Sequence, residues 1–212
     1  MKNSSHLGFW MAFAFLLFFA SPLLIGGSKM EAYVSDEVAQ TRVALGDRVG
    51  DFVVSFANGV FVSTPLGVLS KTAQAAKHSK QDIALAKNVA GPGGQLMSSI
   101  YNNYLQGLVM QTYVVTMRFA IVLIWLVVLA PMLGASVYDG FMQRRIKRAE
   151  FGAIRPATFT VAGLVVIPLL ALPLVYLVMP FTLSPLLAPL WALIVAFPLS
   201  VLVSNMQPLF GR

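Results

Sequence analysis

The sequence predicts an all-α integral membrane protein with four transmembrane helices, N-in/C-in, and a helical periplasmic segment between the first and second spans. Three observations predict it. Of the 212 residues, 58% are hydrophobic and only 11% charged, far from the balance of a soluble domain. The apolar residues collect into four runs, each close to the ~20 residues with which one helix crosses a bilayer. The basic residues crowd into one short loop between two of those runs, and short positively charged loops stay on the cytoplasmic side.

Residues 1–27 hold the first run, residues 8–27, which follows Lys2 and carries no charge. Its apolar stretch is longer than that of a cleaved signal peptide and lacks a clear small-x-small cleavage site, so an uncleaved signal anchor is expected. Residues 28–113 are nearly charge-balanced: Lys29, Arg42, Arg48, Lys71, Lys77, Lys80 and Lys87 face Glu31, Asp36, Glu37, Asp47, Asp51 and Asp82. Loops longer than about 60 residues escape the positive-inside bias, so this segment can lie outside. Val38, Val43, Leu45, Val49, Phe52, Val53 and Phe56 recur at three- and four-residue steps and predict helix. Asn58-Gly59 and Thr64-Pro65-Leu66-Gly67 read as breaks, and Gly91-Pro92-Gly93-Gly94 as a definite one. Residues 52–69 are too polar and too broken to span, and are expected to lie on the membrane or pack in a small bundle, with a re-entrant or fifth spanning segment as the alternative.

From Gln95 the helical pattern continues through Tyr101, Tyr104, Leu108 and Tyr113 into the second span, residues 114–135. Arg118 stands one turn inside that span, where a long side chain is expected to snorkel to the interface as a helix-end anchor. Residues 136–158 carry Arg144, Arg145, Lys147, Arg148 and Arg155 against Asp139 and Glu150, which marks the cytoplasmic side. On a helix over 137–151, Tyr138, Met142, Ile146 and Ala149 form an apolar stripe with the basic residues around it. Residues 159–204 hold the third and fourth runs, 159–179 and 186–204, joined by a turn that permits only a hairpin. Pro168, Pro173, Pro189 and Pro198 interrupt them and are expected to bend the helices. Residues 205–212 are left as a cytoplasmic tail. The expected location is therefore a bacterial inner membrane, multi-pass, with both termini cytoplasmic.

Nothing in the chain looks like an enzyme active site. It has no cysteine, only His6 and His78 as imidazoles, and no metal ligands at useful spacing, so no catalytic, cofactor-binding or metal-binding residues are expected. The glycine-rich break lacks the lysine and hydroxyl residue of a phosphate loop, and the serines have no positioned base. Asp139 reads as a helix-end cap. The last two runs hold no acid, base, Asn or Gln, which disfavours an ion-coupled transporter. Aromatic residues such as Trp10, Trp125, Tyr176 and Trp191 read as interface or packing residues. Arg144, Arg145, Lys147, Arg148 and Arg155 are the candidate contacts, with anionic lipid first and a cytoplasmic protein second. Direct nucleic-acid binding is disfavoured, because four adjacent charges without a base-reading element supply weak phosphate contacts alone. A homo-oligomer stays open.

The order Tyr138-Asp139-Gly140-Phe141, Arg144-Arg145-Ile146-Lys147-Arg148, Arg155-Pro156 and then a proline-interrupted apolar hairpin resembles a family of conjugative-transfer inner-membrane proteins. Members occur in integrating conjugative elements and large conjugative plasmids and are classed as a domain of unknown function. The resemblance covers the last third of the chain. In one branch an Arg-Glu-Ser type motif follows the basic run, where this sequence has Ala149-Glu150-Phe151-Gly152. The resemblance implies a non-enzymatic membrane subunit or adaptor of a type IV secretion apparatus, associating with the coupling ATPase or channel components. A small transporter or lipid-handling protein is the rival expectation, and an exclusion protein acting in the recipient cell is a third.

Overall fold

The computed structural model describes residues 3–63, 65–150 and 156–206. Among these it has seven helices and no strand: α1 (Asn3–Ile25), α2 (Gly27–Leu45), α3 (Asp47–Ser63), α4 (Pro65–Ala75), α5 (Lys80–Ala149), α6 (Pro156–Val178) and α7 (Leu187–Ser204). Four of them are long and apolar enough to cross a membrane: α1 over Gly8–Ile25, α5, α6 over Ala157–Val178 and α7. They coincide with the four runs of the sequence, and the 52–69 stretch falls on α3 and α4, outside that set.

The 70 residues of α5 are two helical arms joined at Gly91, whose φ of 66° and ψ of −156° are freely open only to a residue without Cβ. The His78 amide donates to Asn102 Oδ1 at 2.8 Å, and Asn102 Nδ2 donates back to the His78 carbonyl at 2.9 Å. A straight helix would hold residues that far apart in sequence tens of ångströms apart, at ~1.5 Å per residue, so the first arm folds back along the second. The glycine-rich break thus stands where the sequence put it. Ser79 and Asp82 start the first arm as a reciprocal capping box: the Ser79 amide donates to Asp82 Oδ2 at 2.8 Å and the Asp82 amide to Ser79 Oγ at 3.2 Å. Beyond Gly91 the helix runs unbroken through the second span and the basic segment to Ala149.

One expectation for residues 28–113 is corrected. Asn58-Gly59 lies inside α3, and the break falls instead at Gly46, between α2 and α3. The Val38–Phe56 series lies on helix as expected, in α2 and α3; of it Val53 is buried while Val43 and Phe52 are exposed, and Met30, Tyr33, Glu37 and Thr41 on α2 and Gly50 and Ala57 on α3 are buried with Val53. Residue 64 of the expected second break lies outside the described residues.

The chain divides into two compact units. The amino-terminal unit comprises Phe13–Ile121 and Tyr176–Pro185. Met30, Tyr33 and Val114 centre its core, with Ile25, Val34 and Met110 packed around them. The start of α2 lies so close to α5 that a Cβ on Gly27 would stand 2.8 Å from the Asn103 carbonyl oxygen. Pro22, inside α1, has no N–H for the Phe18 carbonyl, and Ser21 Oγ donates to that oxygen at 3.1 Å.

The carboxy-terminal unit comprises Met1–Ala12, Val122–Val175 and Leu186–Arg212. Here Pro168, Pro173 and Pro198 stand inside α6 and α7 without ending them. Pro173 leaves the Leu169 carbonyl without its helical donor, and Trp191 Nε1 of α7 donates to that oxygen at 2.5 Å. The same unit packs the end of α5 on α7. Ser136 Oγ donates to the Ala196 carbonyl, Ser200 Oγ donates to Asp139 Oδ2 at 2.7 Å, and a Cβ on Gly140 would meet the Ser200 carbonyl oxygen at 2.7 Å.

Candidate functional site

The amino-terminal unit is built around one buried cation. Arg118 on α5 is fully buried and pairs with Glu37 on α2, whose side chain is 1% exposed. Glu37 reaches it because it falls on the α2 face that Met30, Tyr33 and Thr41 also bury, at steps of three and four residues. The guanidinium has five N–H donors, and each has an acceptor. Nε donates to Glu37 Oε1 at 2.7 Å and Nη2 to Glu37 Oε2 at 3.1 Å. Nη1 donates to the carbonyls of Tyr176 at 2.7 Å and Met179 at 2.8 Å, and Nη2 also donates to that of Phe181 at 2.6 Å.

Those carbonyls belong to the end of α6 and the turn after it, where helix geometry leaves acceptors without intrahelical donors. Gln111 Nε2 donates to the Val178 carbonyl at 2.9 Å and Tyr33 Oη to that of Met179 at 3.2 Å. The Leu183 amide donates to Glu37 Oε2 at 3.3 Å. The Tyr33 and Tyr176 rings flank the guanidinium, with centroids 5.7 and 5.2 Å from Cζ. Burial pushes the Tyr33 phenol above its ordinary range, against the lowering pull of Arg118. Arg118 is thus a brace that caps the end of α6 and fixes the turn to α7, with no N–H left for a ligand. This corrects the expectation of a snorkelling helix-end anchor. Glu37 escaped the sequence reading; the available signal was its register with Met30 and Tyr33, beside the need of an intramembrane arginine for an acid.

In the carboxy-terminal unit the basic helix end divides by face. Successive residues turn by about 100°, so Ser136, Gly140, Arg144 and Lys147 share one side of α5, and Tyr138, Phe141, Arg145 and Arg148 share the opposite side. The first set faces α7. Lys147 Nζ donates to Ser204 Oγ at 3.4 Å and Asn205 Oδ1 at 3.2 Å, and Arg144 is half-buried with its Nε buried and without an acceptor. The second set is exposed, Tyr138 at 62% and Phe141 at 47%. The apolar stripe read from Tyr138, Met142, Ile146 and Ala149 therefore does not face the protein: Ile146 and Ala149 are exposed as well. Asp139 accepts from Gln143 Nε2 at 2.8 Å as well as from Ser200, so the Asp139-Gly140 pair tethers α5 to α7 and does more than end a helix. Arg155 lies outside the described residues. Among the described residues no three His, Cys, Asp or Glu side chains converge on a common point.

Residues 28–211 match the family described as IncC plasmid conjugative DNA transfer protein DtrJ-like. The chain belongs to the DtrJ-like family. That membership extends the resemblance seen from Tyr138 onward to nearly the whole chain after α1, and it supports a role in conjugation. In this DtrJ-like protein the Asp-Gly and dibasic segments that carried the resemblance form the α5–α7 tether and the basic helix end. No curated protein and no solved structure matches the chain.

Proposed function

We propose that this DtrJ-like protein is a non-enzymatic inner-membrane subunit or adaptor of a conjugative DNA-transfer, type IV secretion apparatus. Both termini are cytoplasmic in this reading, and residues 28–113 are periplasmic. The observation that carries it is the family match over 28–211, joined to a helix end that presents Tyr138, Phe141, Arg145 and Arg148 outward on one face. Aromatic and arginine side chains side by side are the composition of a protein-contact patch. The partner on that face is the membrane-proximal part of the coupling ATPase or a channel subunit.

The test is affinity purification of the tagged protein in gentle detergent from conjugating cells. Recovery of the coupling ATPase or channel subunits, lost in the double variant R145Q/R148Q together with DNA transfer, is the expected result. Recovery of the protein without any transfer component, with transfer unchanged by its deletion, would overturn the reading.

A further inference from the structure

A second site lies in the carboxy-terminal unit and does not depend on the adaptor reading. Between α6 and α7 runs an open groove of about 370 Å³, lined by Val161, Ala162, Val165, Ile194, Phe197 and Val201 among its apolar residues. Both helices are of membrane-spanning length and hydropathy, so the groove faces acyl chains. Val201, at one end, stands one turn before Ser204, and Ser204 with Asn205 receives the Lys147 ammonium. Arg144 lies one turn back on the same α5 face, with a buried Nε that has no acceptor.

Neither cation has a carboxylate partner among the described residues, and Lys147 meets only neutral oxygens. Two cations on one face of α5 without a carboxylate partner, one of them held at Ser204 a turn beyond the groove residue Val201, suit a single negative phosphate attached to a hydrocarbon tail. We infer that this unit binds an anionic phospholipid specifically, its headgroup phosphate on Arg144 and Lys147 and one acyl chain in the α6–α7 groove. The site is distinct from the outward face, because Arg145 and Arg148 point away from α7. A diffuse attraction between a basic surface and a charged membrane would make no such distinction.

The experiment is native mass spectrometry on the delipidated full chain, offered phosphatidylglycerol or phosphatidylcholine with identical acyl chains. Phosphatidylglycerol is expected to be retained about tenfold more strongly. R144Q/K147Q is expected to reduce it to the phosphatidylcholine level, and the charge-matched R145Q/R148Q to leave it unchanged. Val165→Phe, which fills the groove from an exposed position and alters no charge, is expected to weaken both lipids. Equal retention of the two lipids by the parent chain overturns the proposal, as does an equal loss in the two double variants. Should R144Q/K147Q fail to fold, undiminished phosphatidylglycerol retention by Val165→Phe overturns it alone.

Discussion

Arg118 ties α2 and α5 to the turn after α6 through Glu37 and three carbonyls, so its environment is sensitive to the loss of either partner of the ion pair. Removing one member of a buried pair leaves an uncompensated charge, which costs roughly 3–5 kcal/mol. Glu37→Gln is therefore expected to lower thermal stability in detergent by that order, read by circular dichroism. Arg118→Lys keeps the charge but offers three donors where five are used, so it is expected to destabilise measurably as well, although less than Glu37→Gln. Tyr33 adds a pH dependence with a definite sign. Its folded phenol is held above the ordinary value of 10.0, so the stability it contributes is intact below pH 10 and is lost as pH rises through the folded value. Tyr33→Phe is expected to flatten the alkaline loss of stability, measured by unfolding between pH 9 and 11. The charge of Arg118 was visible in the sequence as the one ionised group in an apolar run. Its partner was not, because Glu37 lies 81 residues away and hydropathy carries no record of a tertiary pair.

The helices illustrate how local irregularities are compensated by side chains from elsewhere. Proline inside a spanning helix is tolerable when another donor takes up the abandoned carbonyl, and Trp191 does this for Leu169 across the α6–α7 hairpin. Trp191→Phe is expected to destabilise by about 1–3 kcal/mol, the range for a buried acceptor left unsatisfied. Pro173→Ala returns a backbone N–H to that oxygen, so Trp191→Phe made in a Pro173→Ala background is expected to cost clearly less; additive losses in the double-mutant cycle would contradict the compensation. Much at this scale was legible: the four apolar runs, the break at Gly91 and the helical basic segment all follow from composition, turn chemistry and periodicity, whereas the fold-back shows only in the pairing of His78 with Asn102. The faces of α5 were not, because the Tyr138–Ala149 stripe is an apolar pattern that lipid or a partner can satisfy as well as the protein core. The contacts of Ser136, Asp139, Gly140 and Lys147 with α7 decide which side turns inward.

For the molecule as a whole, the absence of cysteine makes topology directly measurable. Single cysteines at Ser99 and Arg148, both exposed, are expected to give opposite results with a membrane-impermeant maleimide: S99C labels from outside intact inner membranes and R148C only after lysis. The reverse pattern would invert the proposed orientation. The proposed orientation rests on counted charges in the sequence, which carry no sign that residues 176–185 complete the amino-terminal unit. That dependence sets an order of events in synthesis. When Arg118 emerges from the ribosome Glu37 already exists, whereas the Tyr176, Met179 and Phe181 carbonyls have yet to be translated, so two of its five donors can be satisfied early and three must wait. A nascent chain halted before residue 176 therefore carries an arginine whose charge Glu37 already matches but three of whose N–H groups still lack the carbonyls that will receive them.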